Sequence, residues 1–215
     1  MPKARVKKIP LGFDKNVFIN CPFDDKYLPL FRAIIFTVHD MGFRSRCALE
    51  ASNAGNVRID KIQNIIAECK YSIHDLSRTQ LDKTHRLPRF NMPLELGIDL
   101  GCKRFGKEHE QEKVVLVMDI ERFRYQRFIS DISGQDVYAH GGTQRGIVNE
   151  VREWLRPELD PRRVVIQSGG EILTRFRKFK RALPSICFRL HWDPDRLGFV
   201  DYAYAVASWI SANPP

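Results

Sequence analysis

Acidic and amide side chains stand at the ends of several β-rich segments in this 215-residue sequence. They are Asn20, Asp24, Asp25, Glu50, Asp75 and Asp119. If these segments are parallel strands of one sheet, their carboxyl ends meet at a single edge, which is where ligands of open α/β sheets bind. A carboxylate at a strand end is also a common solvated turn residue. The pattern therefore predicts a binding edge and does not by itself define a reaction.

One further carboxylate, Glu95, has a more specific setting. Its segment, from Asn91 to Gly101, reads N-M-P-L-E-L-G-I-D-L-G. Asn91 is a favourable N-cap and Pro93 suits a first turn, which predicts Glu95 about one turn into a helix, where the helix dipole favours an ionised carboxylate. Because glycine is unfavourable inside a helix, Gly97 and Gly101 predict close approach to a neighbour or a ligand. The alternative is an exposed acid beside a glycine packing face.

The elements that must position these side chains alternate between strand and helix patterns from about residue 15 to residue 155. The predicted strands are Lys15–Asn20, Phe43–Leu49, Tyr71–Leu76, Lys113–Met118 and Asp136–Ala139. The first predicted helix has an apolar face that runs from Tyr27 to Val38. The other predicted helices are Val57–Cys69, Asn91–Lys103, Phe123–Ile132 and Gln144–Leu155. This alternation predicts an α/β fold, a doubly wound parallel sheet of about five strands with helices on both faces.

The last part of the chain is predicted to be a C-terminal extension. A pair of prolines near residue 160 marks the boundary, so we place an α/β domain at 11–156 and a mainly helical extension at 157–215. Within the extension a helix pattern runs over Glu171–Leu183, and Pro184 is expected to end it. The extension is too short to hold a large core alone. We therefore expect an appendage of the α/β domain.

Composition and charge limit the classes of function. Residues 1–10 and 171–181 account for +8 of the net charge of +9, so the α/β core is nearly neutral and is not a basic nucleic-acid platform. No stretch approaches the roughly 18 apolar residues of a membrane helix, and no apolar run follows the basic N-terminus as in a signal peptide. Five scattered cysteines without a C-x-x-C pair favour a reducing compartment. We expect a cytoplasmic protein.

Three segments resemble the superfamily of TIR domains and nucleoside 2-deoxyribosyltransferases. They are V-F-I-N-C-P-F-D-D at 17–25, I-I-A-E-C-K-Y-S-I-H-D-L-S at 65–77, and the segment at 91–101. The resemblance covers roughly residues 15–155 and implies a flavodoxin-like sheet. Many members cleave N-glycosidic bonds, either of NAD at the nicotinamide–ribose bond or of deoxynucleosides in base exchange. The same activity is therefore expected here, with NAD or another nucleotide as substrate or ligand and no separate cofactor.

The resemblance also assigns roles to residues. In both branches a Glu on the helix after the third strand attacks or stabilises the ribosyl centre, which matches Glu95 in E-L-G-I-D. The Asp after the third strand, a ribose contact, matches Asp75. We expect these two to be catalytic. The candidate substrate-binding residues are Asn20, Phe23, Asp24, Arg58, Arg78, Asn91 and Asp99, of which the two arginines are candidates for holding a phosphate.

Two departures from the family patterns support a second hypothesis. Arg89-Phe90-Asn91-Met92 replaces the Ser-Trp-Cys-type approach to the TIR glutamate. Cys21-Pro22-Phe23 replaces the glycine-rich substrate loop of the transferases. These differences favour a nucleotide-sensing or assembly module on the same fold, without turnover.

A phosphoacceptor receiver domain is a third hypothesis, in which Asp24 and Asp25 hold Mg²⁺ and Asp75 is phosphorylated. That chemistry also needs a Lys after the fifth strand, where this chain has Tyr138-Ala139-His140. The missing Lys argues against it. The six histidines show no metal-ligand spacing, so no metal site is predicted.

The helix pattern in the extension has one apolar face, and basic groups cover the rest of the helix surface. The apolar residues are Ile172, Phe176, Phe179 and Leu183. This face either packs on the core or mediates association. Because TIR-like enzymes often complete their sites by self-association, we expect a homo-oligomer. The basic residues at 171–181 predict at most weak, non-specific and salt-sensitive contact with nucleic acid.

Overall fold

A computed structural model describes residues 9–50, 55, 57–79, 89–162 and 164–215. Its five strands form one all-parallel sheet in the order β2-β1-β3-β4-β5. They are β1 (Asn16–Asn20), β2 (Arg44–Arg46), β3 (Tyr71–Asp75), β4 (Val114–Asp119) and β5 (Val137–Ala139). This is the flavodoxin-like strand order. Successive strands are added on one side of β1 and then, from β3 onward, on the other, so the topological switch lies between β1 and β3. The predicted doubly wound parallel sheet is confirmed.

Helices cover both faces of the sheet. They are α1 (Leu28–Asp40), α2 (Arg58–Ala67), α3 (Asn91–Phe105), α4 (Glu108–Gln111), α5 (Gln144–Leu155), α6 (Gly169–Leu190) and α7 (Phe199–Ala212). One face is covered by α1 and α5, with α6 and α7 packed outside them, and the other is covered by α2 and α3. In the described part of the chain, no helix has the length and apolar character needed to cross a membrane.

The burial of the strands follows their place in the sheet. All residues of the central strands β1 and β3 are buried, as expected for parallel strands covered on both faces. Along β1, Val17 and Ile19 face the α1 side and Phe18 faces α2, because side chains alternate along a strand. The edge strand β2 is partly exposed and is shorter than the predicted Phe43–Leu49.

The C-terminal extension shares the core of the α/β domain. The side chains of Ile172, Phe176 and Phe179 have no exposed surface. The rings of Phe176 and Phe179 pack on Phe36 of α1, with centroid separations of 5.2 and 5.6 Å. The interpretation of this face as an association surface is therefore wrong, because burial against the chain's own core already removes it from water. The homo-oligomer itself stays a prediction.

Pro184 does not end α6, contrary to the sequence-based expectation. The helix continues to Leu190, with the proline inside it and exposed. A proline removes one backbone hydrogen bond. Burial of Leu183, Ile186 and Cys187 around it outweighs that loss.

The segment Phe123–Ile132 is not the single short helix that was predicted. It forms two 3₁₀ turns, Arg124–Arg127 and Ser130–Ile132. Phe123 adopts a left-handed φ of 61° before the first turn, and Ile129 interrupts the segment with a φ of −143°. Neither conformation belongs to a continuous α-helix.

Candidate functional site

Several of the predicted site residues lie at the carboxyl edge of the sheet. Asn20 ends β1 and Asp75 ends β3, on the two sides of the topological switch. Asp119 ends β4, where it is buried and paired with Arg124. Ligands of doubly wound sheets bind at this edge, so the topology supports the predicted location of the site.

Asp75 lies in a buried polar cluster built from three other segments. Its Oδ2 accepts a hydrogen bond from the Tyr27 hydroxyl and lies 3.1 Å from Nε2 of His140. Its Oδ1 accepts a hydrogen bond from the Ser77 N–H at 2.8 Å. The Asp75 side chain has no exposed surface. The predicted direct contact between Asp75 and a ribose is therefore not available in this structure, because protein groups already occupy both carboxylate oxygens.

His140 is held in one tautomer by the turn that follows β5. The Gly142 N–H donates to Nδ1 of His140 at 3.0 Å, so the proton of the neutral ring lies on Nε2, which faces Asp75. Gly141 and Gly142 adopt left-handed φ values of 60° and 67°, which make this turn possible. A side chain at Gly146 would place its Cβ 1.9 Å from the His140 carbonyl oxygen, so glycine lets α5 begin directly against this turn.

The ionisation of Asp75 reflects its surroundings. Burial raises the pKa of this carboxyl, but the contacts with His140, Ser77 and Tyr27 outweigh burial and hold the pKa below its usual value. Burial, together with the nearby Asp75 charge, raises the pKa of the Tyr27 phenol well above its usual range. Asp75 is therefore a fixed negative charge beneath the edge, and Tyr27 remains a neutral donor to it.

Glu95 lies just past the first turn of α3 and has no partner among the described residues. Its residue surface is only 7% exposed. Burial raises the pKa of its carboxyl to about 7, and the Arg58 charge opposes that rise. The alternative of an exposed acid is therefore wrong. A buried and unpaired carboxylate is costly for the fold, which makes Glu95 the most distinctive titratable group at this edge.

Three carboxylates lie around the end of β1. Burial raises the pKa of the Cys21 thiol well above its usual value. The charges of Asp75, Glu95 and Asp24 add to this rise, so all of them act on the same short segment after β1. The carboxyl edge therefore combines negative potential with restricted access to water.

The start of α3 differs from the sequence-based prediction. Phe90 occupies the N-cap position, and Asn91 is the first helical residue and makes no capping hydrogen bond. A Cβ added at Gly97 or Gly101 would meet no atom within 4 Å, so neither glycine marks a close approach. Asn91 and Phe90 are both exposed at the edge.

Asn20 and Asp99, two of the predicted substrate contacts, are buried in a polar network. Nδ2 of Asn20 donates to Nδ1 of His74 and to the Met92 carbonyl, each at 2.9 Å. Nε2 of His74 lies 3.0 Å from Oδ2 of Asp99, and Lys113 Nζ lies 3.2 Å from Oδ1. Asp99 and Lys113 have no exposed surface. These side chains form contacts inside the protein and are too buried to contact a ligand in this structure.

The network fixes α3 against the sheet. It joins Asn20 of β1 and His74 of β3 to Met92 and Asp99 of α3. Burial raises the pKa of the Asp99 carboxyl, but His74 and other partners outweigh it and lower the net value. An ionised Asp99 beside Lys113 therefore anchors the helix that carries Glu95.

The remaining predicted contacts form the rim of the edge. Asp24 accepts a hydrogen bond from the Tyr27 N–H at 3.1 Å and lies between the guanidinium groups of Arg78 and Arg89. Arg58 is exposed in the first turn of α2. Phe23 is 38% exposed. Its ring packs edge-to-face on Phe31 and borders a cavity of about 130 Å³.

Three residues of the site could not be singled out from the sequence. The spacing assigns Tyr27 only to the apolar face of α1, and it assigns His140 only to a glycine turn. Arg89 precedes α3 without a motif of its own. The H-G-G run was the one local signal for His140. Two consecutive glycines permit a tight turn in which a backbone N–H can bond to the preceding side chain.

No protein-family model, curated protein or solved structure matches this chain. Across the ranges that the structure describes, no group of three or more His, Cys, Asp or Glu side chains could hold a metal ion. What the site can do therefore follows from its own geometry.

Proposed function

We propose that this protein cleaves the N-glycosidic bond of a nucleotide or nucleoside, and that Glu95 is the carboxylate that acts at the anomeric carbon. One observation carries the proposal. Glu95 lies at the carboxyl edge of the sheet, buried and without a partner among the residues that the structure describes, and burial raises its pKa to about 7. Titratable groups with strongly perturbed pKa values cluster at functional sites.

The chemistry of this bond suits such a carboxylate. When the bond between C1′ and the base nitrogen breaks, its electron pair leaves with the base and positive charge develops on the sugar. None of the described residues pairs with ionised Glu95, so its attraction to this positive charge is strongest in the transition state. The carboxylate then stabilises the cation or forms a ribosyl ester, and water or a second base completes hydrolysis or exchange.

The surrounding residues support this role. Asp75, held ionised by Tyr27 and His140, adds negative potential beneath the edge. The exposed side chains of Phe23 and Asn91 lie at the same edge and are available to contact the base and the sugar. The sequence resemblance to TIR domains and deoxyribosyltransferases points to the same reaction.

The direct test is base release. The full chain is incubated with NAD, NADP and a panel of nucleosides, deoxynucleosides and their 5′-monophosphates, and the released base is measured by chromatography. Glu95→Gln is expected to lower the rate by roughly a thousandfold or more, since it removes the charge and keeps the size. Glu171→Gln, an exposed first-turn acid on α6, is the matched control and should leave the rate unchanged.

The pH dependence provides a second readout. Because the ionised form of Glu95 is the active one and its pKa is about 7, the rate should rise from pH 6 to pH 8 and then level off. Base release by Glu95→Gln at the wild-type rate, or a rate that falls across this range, contradicts the assignment.

A nucleotide-sensing module on the same fold is the second candidate function. The enclosure of Asp75, which leaves no direct contact with a ribose, favours it. Tight nucleotide binding by the wild type, without release of base from any compound in the panel, would select this candidate over the enzyme.

A further inference from the structure

Two arginines converge on one carboxylate at the carboxyl edge. Nη2 of Arg78 lies 3.4 Å from Oδ1 of Asp24, and Nη1 of Arg89 lies 4.0 Å from Oδ2. Within the described ranges, neither arginine forms a hydrogen bond with Asp24. Two positive charges thus face the single negative charge of Asp24.

The donors of both arginines are open to solvent. The side chains of Arg78 and Arg89 are 37% and 57% exposed. Asp24 is already engaged, because its Oδ1 accepts the Tyr27 N–H at the start of α1. A planar guanidinium offers five N–H donors in a fork that matches the oxygens of a phosphate. Among the described residues, Asp24 is the ion-pair partner of both arginines.

The arginine pair lies beside the proposed reaction centre. Asp24 follows β1 and Arg78 follows β3, so they stand on the two sides of the topological switch. Arg89 lies two residues before Asn91, the first residue of α3, and α3 carries Glu95. The charges of Asp24 and Glu95 both act on Cys21, so the arginine pair and Glu95 border the same part of the edge.

We infer that Arg78 and Arg89 form a phosphate clamp and that the substrate is a nucleotide with a phosphate on its 5′ oxygen, not a free nucleoside. The inference rests on the proposed function. A phosphate monoester carries up to two negative charges and three terminal oxygens, so it can engage both guanidinium groups, whereas Asp24 leaves each contact at 3.4 Å or more.

Calorimetric titration of the full chain tests the clamp. The probes are the four deoxynucleoside 5′-monophosphates, the matching deoxynucleosides and inorganic phosphate, on the wild type and on Glu95→Gln, which prevents turnover. The monophosphate should bind at least about tenfold more tightly than its nucleoside, since hydrogen bonds to charged groups are strong. The preference should weaken as salt is raised. Inorganic phosphate should compete with the monophosphate and not with the nucleoside.

Variants assign the effect to the two residues. Arg78→Gln and Arg89→Gln should each weaken monophosphate binding by about tenfold or more and leave nucleoside binding unchanged. Arg104→Gln, an exposed arginine in the last turn of α3, is the control. Arg89 is the more exposed of the pair, so its variant keeps the test independent of folding.

The outcomes separate this inference from the proposed function. Base release with equal kcat/KM for nucleoside and monophosphate overturns the clamp and keeps the enzyme. Equal binding of the two probes, or unchanged monophosphate binding by both arginine variants, also overturns it. A monophosphate preference lost in Arg89→Gln, without base release by the wild type, keeps the clamp and rejects the reaction.

Discussion

His140 and Asp75 lie 3.1 Å apart, from Nε2 to Oδ2, although β4 separates the strands that they follow. The contact joins the turn after β5 to the end of β3, next to the topological switch. Because the Gly142 N–H donates to Nδ1 of His140, the proton of the neutral ring lies on Nε2, the ring nitrogen nearest to Asp75. His140, together with Ser77 and Tyr27, thus keeps Asp75 ionised.

Asp75→Asn should destabilise the protein by about 3–5 kcal/mol at pH 7, because an amide NH₂ would face groups that donate to the carboxylate. It is therefore not a clean probe of substrate binding. The measurement is urea unfolding. Asp25→Asn, an exposed acid in the next loop, is the control and should change stability by less than about 0.5 kcal/mol.

The same pair predicts an acid transition. The folded-state pKa of Asp75 is below its usual value of 3.8, so its stabilisation is present above about pH 4 and is lost as pH falls through the lower folded-state pKa. Wild-type stability should drop in that window, and Asp75→Asn should show a shallower drop. Equal acid sensitivity of the two proteins would contradict the lowered pKa.

Glu95→Gln should stabilise the protein at high pH. Between 4.5 and about 7 the folded protein holds a proton on Glu95 that the unfolded chain has lost, so wild-type stability falls across this range by at most about 3 kcal/mol. The glutamine variant lacks this penalty. Thermal melts at pH 5 and pH 8 should show a higher Tm for the variant at pH 8 and a much smaller difference at pH 5.

Glu171→Gln supplies the comparison for this prediction. It removes an exposed acid from the first turn of α6, so it should lower stability slightly, by about 0.3–1 kcal/mol, through the helix dipole. A Glu95→Gln variant that melts earlier than the wild type at pH 8 would show that the carboxylate is structural.

Lys113→Met should cost about 3–5 kcal/mol, because it leaves the buried Asp99 carboxylate without its cation. The lysine also donates to the Ile66 carbonyl at 2.7 Å, which ties α2 to the start of β4. Chemical unfolding measures the loss, and Lys26→Met on the exposed loop before α1 is the control. A loss below about 1 kcal/mol would show that the network does not anchor α3.

Pro184→Ala should raise stability by about 1–3 kcal/mol, because alanine restores a backbone N–H and removes the proline clash inside α6. The side chain is exposed, so no packing is lost. Ser185→Ala, at the adjacent exposed position, is the control for helix propensity. Urea unfolding that shows a less stable Pro184→Ala would mean that the proline shapes α6 for a contact elsewhere.

Local pattern was sufficient for the architecture. The apolar runs of β1, β3 and β4 and the helical spacing of α1, α2 and α5 predict a parallel sheet covered on both faces, and the structure has it. The same information places Glu95 near the start of a helix that follows the third strand. Periodicity is a property of neighbouring residues, so the sequence contains it in full.

The partners of the site residues were decided by the tertiary structure alone. Strand order brings His140 to Asp75, and it turns Asp99 inward to Lys113 instead of toward a ligand. Burial of Glu95, and with it the pKa of about 7, comes from elements distant in the chain. The pKa of a side chain depends on nearby charges, desolvation and hydrogen bonds, and these depend on distances across the sheet. The spacing of residues along the sequence does not contain those distances.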